Sequence, residues 1–183
     1  MMMIVPQSFP IGGLVPITIR LRPMTKLKVY RISVHLEEKI TYFAHDRKLK
    51  REEGPRRFVL SKVSYEDEED PLLPIVSTAT NALQESPLAD WLVNPHSTSD
   101  DTSASCMDVL GPWELEASVP VPGPESKLRF STTSQKSNVA VSHVLKVIIR
   151  VDRGDDDYLD GKGKRRKWDI VVESPAHILH VST

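Results

Sequence analysis

The stretch that decides the fold is SNVAVSHVLKVIIRV, residues 137–151. Every second side chain from Val139 to Val151 is aliphatic except His143, and Ser, Lys and Arg occupy intervening positions. This period of two is typical of a β-strand that buries one face. Val144 and Ile148 fall on the opposite face, so we expect that face to be partly covered as well.

The same alternation recurs in short segments on both sides of this strand. Fourteen prolines and eight glycines punctuate them, and no helical period of comparable strength appears. We expect Pro175 to break one of these segments. Seven or eight strands result, which predicts an all-β protein with two sheets packed face to face, a β-sandwich. The strands are expected at residues 15–21, 30–40, 58–63, 113–119, 128–130, 139–151, 168–172 and 178–181.

A long insertion, residues 66–111, interrupts the pattern. It opens with the acidic run 66–70 and continues with many Ser, Thr, Pro and Asp residues. Residues 97–105 have a low-complexity composition that predicts disorder. Within the insertion, Leu83, Leu88, Trp91 and Leu92 suggest a short helix or a clip laid on the sandwich. The remaining residues of 1–183 are expected to form one domain around it.

Composition excludes several functional classes. The chain has 183 residues with 24 Lys plus Arg and 25 Asp plus Glu, a net charge of −1, so it lacks the basic field of a nucleic-acid binder. No apolar run approaches the ~18 residues of a membrane span. The first residues, MMMIVPQSFPIGG, lack the charged region of a signal peptide. The single cysteine, Cys106, allows no internal disulfide, which favours the reducing cytosol.

No catalytic constellation, cofactor motif or metal site is evident in the sequence. G-x-S-x-G, P-loop and G-x-G-x-x-G motifs are absent. His177 and His180 are interpreted as ordinary strand histidines, and His143 as a hydrogen-bonded core residue rather than a ligand. Cys106 has no partner for nucleophilic chemistry. The aspartates of residues 152–160 do not fit the spacing of a calcium loop, so a solvated hairpin loop is the better interpretation.

Two basic clusters are the candidate binding residues. One follows the strand at 30–40, and the other lies in the polar hairpin near residue 165. Either cluster can contact phosphate or anionic lipid headgroups, or its charges can simply compensate nearby acidic residues. If both lie at one end of the sandwich, they form a joint anionic site. The candidate residues are Arg47, Lys48, Lys50, Arg51, Arg56, Arg57, Lys164, Arg165, Arg166 and Lys167.

The order of these segments resembles a known family. The motifs that carry the resemblance run the length of the chain: GLVPI at 13–17, the strand 28–43, PLLP at 71–74, SPLA at 86–89, GPWEL at 111–115, SNVAVSHVLK at 137–146, VDRG at 151–154, WDIVVESP at 168–175 and the closing Ile178-Leu179. Together they look like the C-terminal domain of arrestin-like proteins, specifically of fungal arrestin-related trafficking adaptors.

The resemblance implies an immunoglobulin-like β-sandwich of the arrestin C-terminal type, without a disulfide. It also implies a non-enzymatic adaptor without cofactors, located in the cytoplasm and peripherally at the plasma membrane and endosomes. Its expected partners are cytosolic tails of membrane transporters or receptors, an anionic membrane surface, and a HECT-type ubiquitin ligase that drives ubiquitin-dependent endocytosis. The family's ligase-docking Pro-Pro-x-Tyr motif does not occur here, so the ligase is expected to bind a region outside this chain. The alternative is a structural scaffold subunit of endosomal sorting machinery.

Overall fold

The computed structural model describes residues 2–4, 7–67, 69–76, 81–92, 106–154, 163 and 166–180. Within them are nine strands: β1 (Met2–Ile4), β2 (Ser8–Pro10), β3 (Leu14–Leu21), β4 (Lys28–Ala44), β5 (Leu49–Glu52), β6 (Arg56–Ser64), β7 (Trp113–Pro120), β8 (Val139–Asp152) and β9 (Trp168–Leu179). Two one-turn helices, α1 (Ala82–Glu85) and α2 (Leu88–Trp91), lie between β6 and β7.

The strands form two sheets, as the alternation predicts. The smaller sheet has the order β1-β3-β7, and the larger has the order β2-β9-β8-β4-β5, with β6 also paired to β4. The antiparallel β4–β8 pair is the longest, running from Lys28 opposite Asp152 to Tyr42 opposite Val139. β5 and β6 pair with successive parts of β4 on its other side.

The core lies between the two sheets and consists of the alternating side chains. The small sheet contributes inward residues that are at most 3% exposed, and the large sheet faces them with equally buried aliphatic residues. From the small sheet they are Val15, Ile17, Ile19, Leu21, Trp113, Leu115, Ala117 and Val119; from the large sheet they are Ile32, Val34, Leu36, Leu145, Val147 and Ile149. The Trp113 indole N–H donates to the Asp108 carbonyl at 2.9 Å, so the buried ring leaves no polar group unpaired.

Three local predictions were wrong. Residues 128–130 form no strand; only Thr132 bridges to Val141, while Leu128 is buried in the core and Phe130 is half exposed. Pro175 does not end a strand, because β9 runs through it opposite Val144. Proline is tolerated at a sheet edge, and β2 covers β9 only at residues 177–179. The expected basic loop after β4 contains a further strand, β5.

The described parts of the 66–111 segment penetrate the core. Leu72, Leu73 and Leu83 are at most 1% exposed and belong to the same apolar cluster as the sheets. Val29 of β4 donates to the Leu73 carbonyl at 2.8 Å and accepts from the Leu72 amide at 2.6 Å. The predicted short helix is present as α1 and α2, and the Trp91 indole donates to Ser61 Oγ at 2.9 Å. Residues 93–105, which include the low-complexity stretch, lie outside the described residues.

A buried polar cluster interrupts the apolar core at His143. Its Nδ1 lies 2.9 Å from Ser131 Oγ, which confirms a hydrogen-bonded core histidine. The same hydroxyl oxygen accepts from the Ile178 amide at 2.9 Å. Glu38, which is fully buried, accepts from the Arg129 amide at 2.8 Å and lies 3.5 Å from His143 Nε2. Burial lowers the pKa of His143, against the opposing attraction of the Glu38 carboxylate.

We predict that Leu72→Ala lowers the free energy of unfolding by about 2–5 kcal/mol, because it opens a cavity where the segment meets β4. Val76→Ala, in the same segment but 81% exposed, is the matched control and changes stability by less than about 0.5 kcal/mol. Urea unfolding of both variants measures the difference. Equal effects would contradict the core role of this segment.

We also predict that stability falls below about pH 6.5, the ordinary pKa of histidine. Because the pKa of His143 is lowered in the folded state, the unfolded chain takes up a proton first. The stabilisation is therefore complete above pH 6.5 and is lost as pH falls toward the folded pKa, at no more than about 1.4 kcal/mol per pH unit.

Unfolding measured from pH 7.5 to 5.5 should show a flatter profile for His143→Gln than for the parent chain. His180→Gln, at an exposed position, is the control and should keep the parent slope. A parental slope in His143→Gln would assign the pH dependence to other groups.

Candidate interaction surface

The two predicted basic clusters lie along different parts of the large sheet. Four residues of the first cluster follow Ala44, in the turn and strand β5, whereas Arg56 and Arg57 lie on β6 opposite Glu38 and Glu37, in the middle of β4. The described members of the second cluster, Arg166 and Lys167, precede β9 at the end of the sheet where Lys28 pairs with Asp152. The 17-residue strand β4 separates the turn after Ala44 from that end by roughly 50 Å, at about 3.3 Å per residue. The described members therefore do not form the joint anionic site considered from the sequence. Lys164 and Arg165 lie outside the described residues.

Arg47 holds the turn between β4 and β5. Its guanidinium stacks on the Phe43 ring at 3.8 Å and donates to the carbonyls of Ser134, Gln135 and Ser137 at 3.0–3.4 Å. The turn needs this support because His45, Asp46 and Arg47 all have φ between 47° and 66°, a region that non-glycine residues rarely adopt. Arg47 is thus engaged by the protein itself.

Most of the remaining residues of the first cluster are compensated by glutamates. Lys50 and Lys39 both bind the Glu52 carboxylate, which lowers its pKa to about 2. Arg56 lies 3.4 Å from Glu53 and 3.8 Å from the buried Glu38.

Arg57 binds Glu37 at 2.9 Å. Within the described part of the chain, Lys48 and Arg51 are exposed without an ion-pair partner.

In the second cluster, Arg166 and Lys167 lie over aromatic rings at the base of the β8–β9 connection. Arg166 is 5.8 Å from the Trp168 ring centroid, and Lys167 Nζ is 3.9 Å from that of Tyr30. The Tyr30 hydroxyl donates to the buried Asp152 carboxylate at 2.7 Å. Asp152 also accepts from the Gly154 amide at 2.7 Å. These contacts hold the hairpin base, while the aspartates at 155–160 lie outside the described residues.

The outward face of the large sheet carries an ordered pattern that spans β8 and β9. Ile148 lies opposite Val171, an apolar pair whose valine is 48% exposed. On one side of this pair, Arg150 makes a two-pronged ion pair with Asp169 at 2.9 and 3.0 Å. On the other side, Lys146 binds Glu173 at 2.7 Å. The apolar pair Ile148–Val171 therefore lies between two cross-strand ion pairs.

The ion pairs continue across β4 to β6. Lys146 also binds Glu37 at 2.8 Å, and Glu37 in turn binds Arg57. Lys146 and Arg57 lower the pKa of Glu37, and Glu173 with Glu37 raises the pKa of Lys146. Arg150 lowers the pKa of Asp169. His35, which lies opposite Lys146 on β4, has a pKa lowered by burial and by the charges of Arg57 and Arg31. The charges of this face are thus held in place by neighbouring strands.

The edge of the large sheet lies next to this pattern. β2 pairs with β9 at Ser8–Pro10 opposite residues 177–179. From Asp169 to Ala176, no other strand of the described residues pairs with the outer side of β9. An unpaired strand edge offers backbone hydrogen bonds to an extended peptide. The face formed by Ile148, Val171 and the two ion pairs, together with this edge, is the β9 interaction surface.

Sequence reasoning did not identify the β9 interaction surface. The signal that was available is Lys146 and Arg150, which alternate with Val144 and Ile148 on one face of a strand rich in aliphatic residues. Their partners, Asp169 and Glu173, lie more than eighteen residues away in the chain, so only the register brings them together.

The histidines at the end of β9 and Cys106 are interpreted from the sequence as residues without a catalytic or metal-binding role. Among the described residues, no group of three or more His, Cys, Asp or Glu side chains could hold a metal ion. His177 and His180 are exposed, and the His180 ring packs edge-on against Phe130 at 5.6 Å. Cys106 is buried, which raises the pKa of its thiol to about 11. A thiol with such a pKa is a poor nucleophile near neutral pH.

The helices of the described residues are too short to cross a lipid bilayer.

Comparison with known proteins agrees with the two-sheet architecture. Residues 3–183 match the model of the "Arrestin (or S-antigen), C-terminal domain" family. "Arrestin-related trafficking adapter 3" of Saccharomyces cerevisiae is 23% identical over 176 residues, which cover 93% of this chain and 14% of that protein. Both names point to a non-catalytic family. Because the family model spans nearly the whole chain, the chain belongs to the arrestin C-terminal domain family.

Proposed function

We propose that this chain acts within a non-enzymatic, arrestin-like adaptor that links plasma-membrane transporters or receptors to a HECT-type ubiquitin ligase for ubiquitin-dependent endocytosis. The observation that carries the proposal is the family match over residues 3–183, and the name of the yeast relative supports the trafficking role. The adaptor works in the cytoplasm, at the inner surface of the plasma membrane and on endosomes. The chain spans 14% of that relative's length, so ligase binding is assigned to the adaptor as a whole.

The cargo contact is proposed at the β9 interaction surface. A cytosolic tail can add as a strand beside residues 169–176, with one apolar side chain against Val171 and Ile148. The ion pairs Arg150–Asp169 and Lys146–Glu173 limit which sequences fit, because a like charge placed opposite a fixed charge is unfavourable. Binding by backbone pairing and one apolar contact suits a transient adaptor, which must release its cargo.

The membrane contact is proposed at the turn between β4 and β5. Lys48 and Arg51 are the exposed residues of the first cluster without an ion-pair partner in the described part of the chain. Each cation near an anionic surface contributes about 1 kcal/mol. Two such residues give weak, reversible attachment that supplements binding to cargo. Lys164, Arg165, Arg166 and Lys167, which precede β9 in the chain, remain proposed as a second basic contact.

The adaptor proposal predicts that the tagged chain, expressed in yeast, captures plasma-membrane transporters from solubilised membranes. Val171→Lys should reduce transporter recovery about tenfold, because it places a charge in the apolar contact. Val59→Lys is the matched control, since Val59 is also exposed, at 63%, on a β6 position two strands away from β8. It should retain parental recovery.

Recovery of a HECT ligase is scored in the same experiment. A complex of fixed stoichiometry without transporters would favour a scaffold of endosomal sorting machinery over an adaptor. A folded chain that recovers neither transporters nor ligase would contradict the adaptor function. Equal losses for both valine variants would contradict the β9 contact.

The membrane proposal predicts binding to phosphatidylserine-containing vesicles but not to pure phosphatidylcholine vesicles. Lys48→Gln combined with Arg51→Gln should weaken sedimentation with the anionic vesicles by about tenfold or more. Arg56→Gln with Arg57→Gln removes the same charge from glutamate-paired positions and should change binding less than about threefold. Vesicle binding that is insensitive to salt, or equally affected by both pairs, would refute this contact.

A further inference from the structure

Charge is strongly segregated along the chain. Residues 63–126 contain 13 Asp and Glu residues and not one Lys or Arg, whereas the rest of the chain contains 12 acidic and 24 basic residues. The net charge of −1 therefore conceals a segment of charge −13 within a chain that is otherwise basic. Such a segment creates a local negative potential that attracts cations and repels anionic surfaces.

A groove opens on the surface of this acidic segment. Its volume is about 290 Å³, and its walls come from the end of β6, from residues 70–76 and from α1. Tyr65, Ile75, Val76 and Ala82 supply most of its apolar lining, and Asp70 and Glu85 stand among them. We call this the acidic groove. A volume at the lower end of the ligand-pocket range suits one or two inserted side chains.

The apolar lining of the acidic groove is held firmly on one side and open on the other. Ile75 is 8% exposed, and its amide donates to the Cys106 carbonyl at 2.9 Å. Ala82 belongs to the buried core cluster. Val76, by contrast, is 81% exposed. A side chain entering the groove would cover Val76 against a wall that is already fixed.

The carboxylates of the acidic groove are not neutralised within the described structure. Asp70 and Glu85 are exposed and belong to none of the ion pairs between described residues. The Glu85 carboxylate accepts a hydrogen bond from the Asn81 side-chain amide. This donor is neutral, so the carboxylate keeps its negative charge. Glu66, Asp67 and Glu69 add further exposed carboxylates beside Asp70.

From this geometry we propose that the acidic groove binds a basic peptide segment that inserts one apolar side chain between flanking Lys or Arg residues. The apolar lining accepts the anchor side chain, and Asp70 and Glu85 pair with the flanking cations. An anionic lipid headgroup is the wrong occupant, because the surrounding carboxylates repel it. This site is separate from the β9 interaction surface and does not depend on the adaptor function.

The test uses the purified full chain and a fluorescent probe peptide, Lys-Arg-Lys-Leu-Arg-Lys, in a polarisation assay. Two altered peptides separate the two parts of the proposal: one replaces Leu by Ser, and the other replaces every Lys and Arg by Glu. We expect the Leu-to-Ser peptide to bind about fivefold more weakly, from loss of one buried aliphatic side chain. The acidic peptide should not bind.

The variant Asp70→Asn with Glu85→Gln should weaken binding of the basic probe about tenfold. The control, Glu116→Gln with Glu125→Gln, removes the same charge from exposed positions of the acidic segment outside the groove lining. It should change binding of the basic probe less than about twofold. Val76→Ser should weaken binding of the basic probe. It should leave the stability of the chain intact, because Val76 is exposed.

Equal losses for the two charge-neutralised variants would overturn the proposal in favour of general attraction to acidic surface. Equal affinity for the Leu and Ser peptides, or no binding of the basic probe, would also overturn it. Concentration-dependent self-association that Asp70→Asn with Glu85→Gln abolishes, without peptide binding, would assign the groove to a second copy of the chain instead.

Discussion

The antiparallel pairing of β4 with β8 is the constraint on which the rest of the structure depends. It runs from Lys28 opposite Asp152 to Tyr42 opposite Val139 and supports β5, β6 and β9 on its two sides. A shift of one residue would turn every side chain to the opposite face and bring Lys146 into the core. The pairing therefore sets the buried core and the charged outward face at the same time.

The outward face of the large sheet carries ordered ion pairs, although the net charge of the chain is only −1. Cross-strand ion pairs such as Lys146–Glu173 add only about 0.2–1 kcal/mol each. Their larger effect is to fix the positions of the charges and to leave few of them available to partners. Among the described residues that stay outside these ion pairs are Lys48 and Arg51 beside one turn, and Asp70 and Glu85 in the acidic groove.

Strand alternation predicts most of the sandwich, because burying one face of a strand leaves a period of two in the sequence. It misses β5, whose residues are exposed on both faces, and the continuation of β9 through Pro175, where an edge makes proline acceptable. It also misses the core role of Leu72, because a single docked residue has no period. The β9 interaction surface and the acidic groove depend on contacts between distant segments, which local patterns do not encode.

The division of strands around the segment 66–111 has a consequence for the chain as two halves. β1 to β6 precede residue 65 and β7 to β9 follow residue 112, yet the β3–β7 and β4–β8 pairs both cross this division. Neither half contains a complete sheet, so each exposes the strand edges and apolar face that the other covers. A cut between residues 92 and 106 would therefore leave neither fragment with a complete sheet, so the fold requires the strands on both sides of the segment.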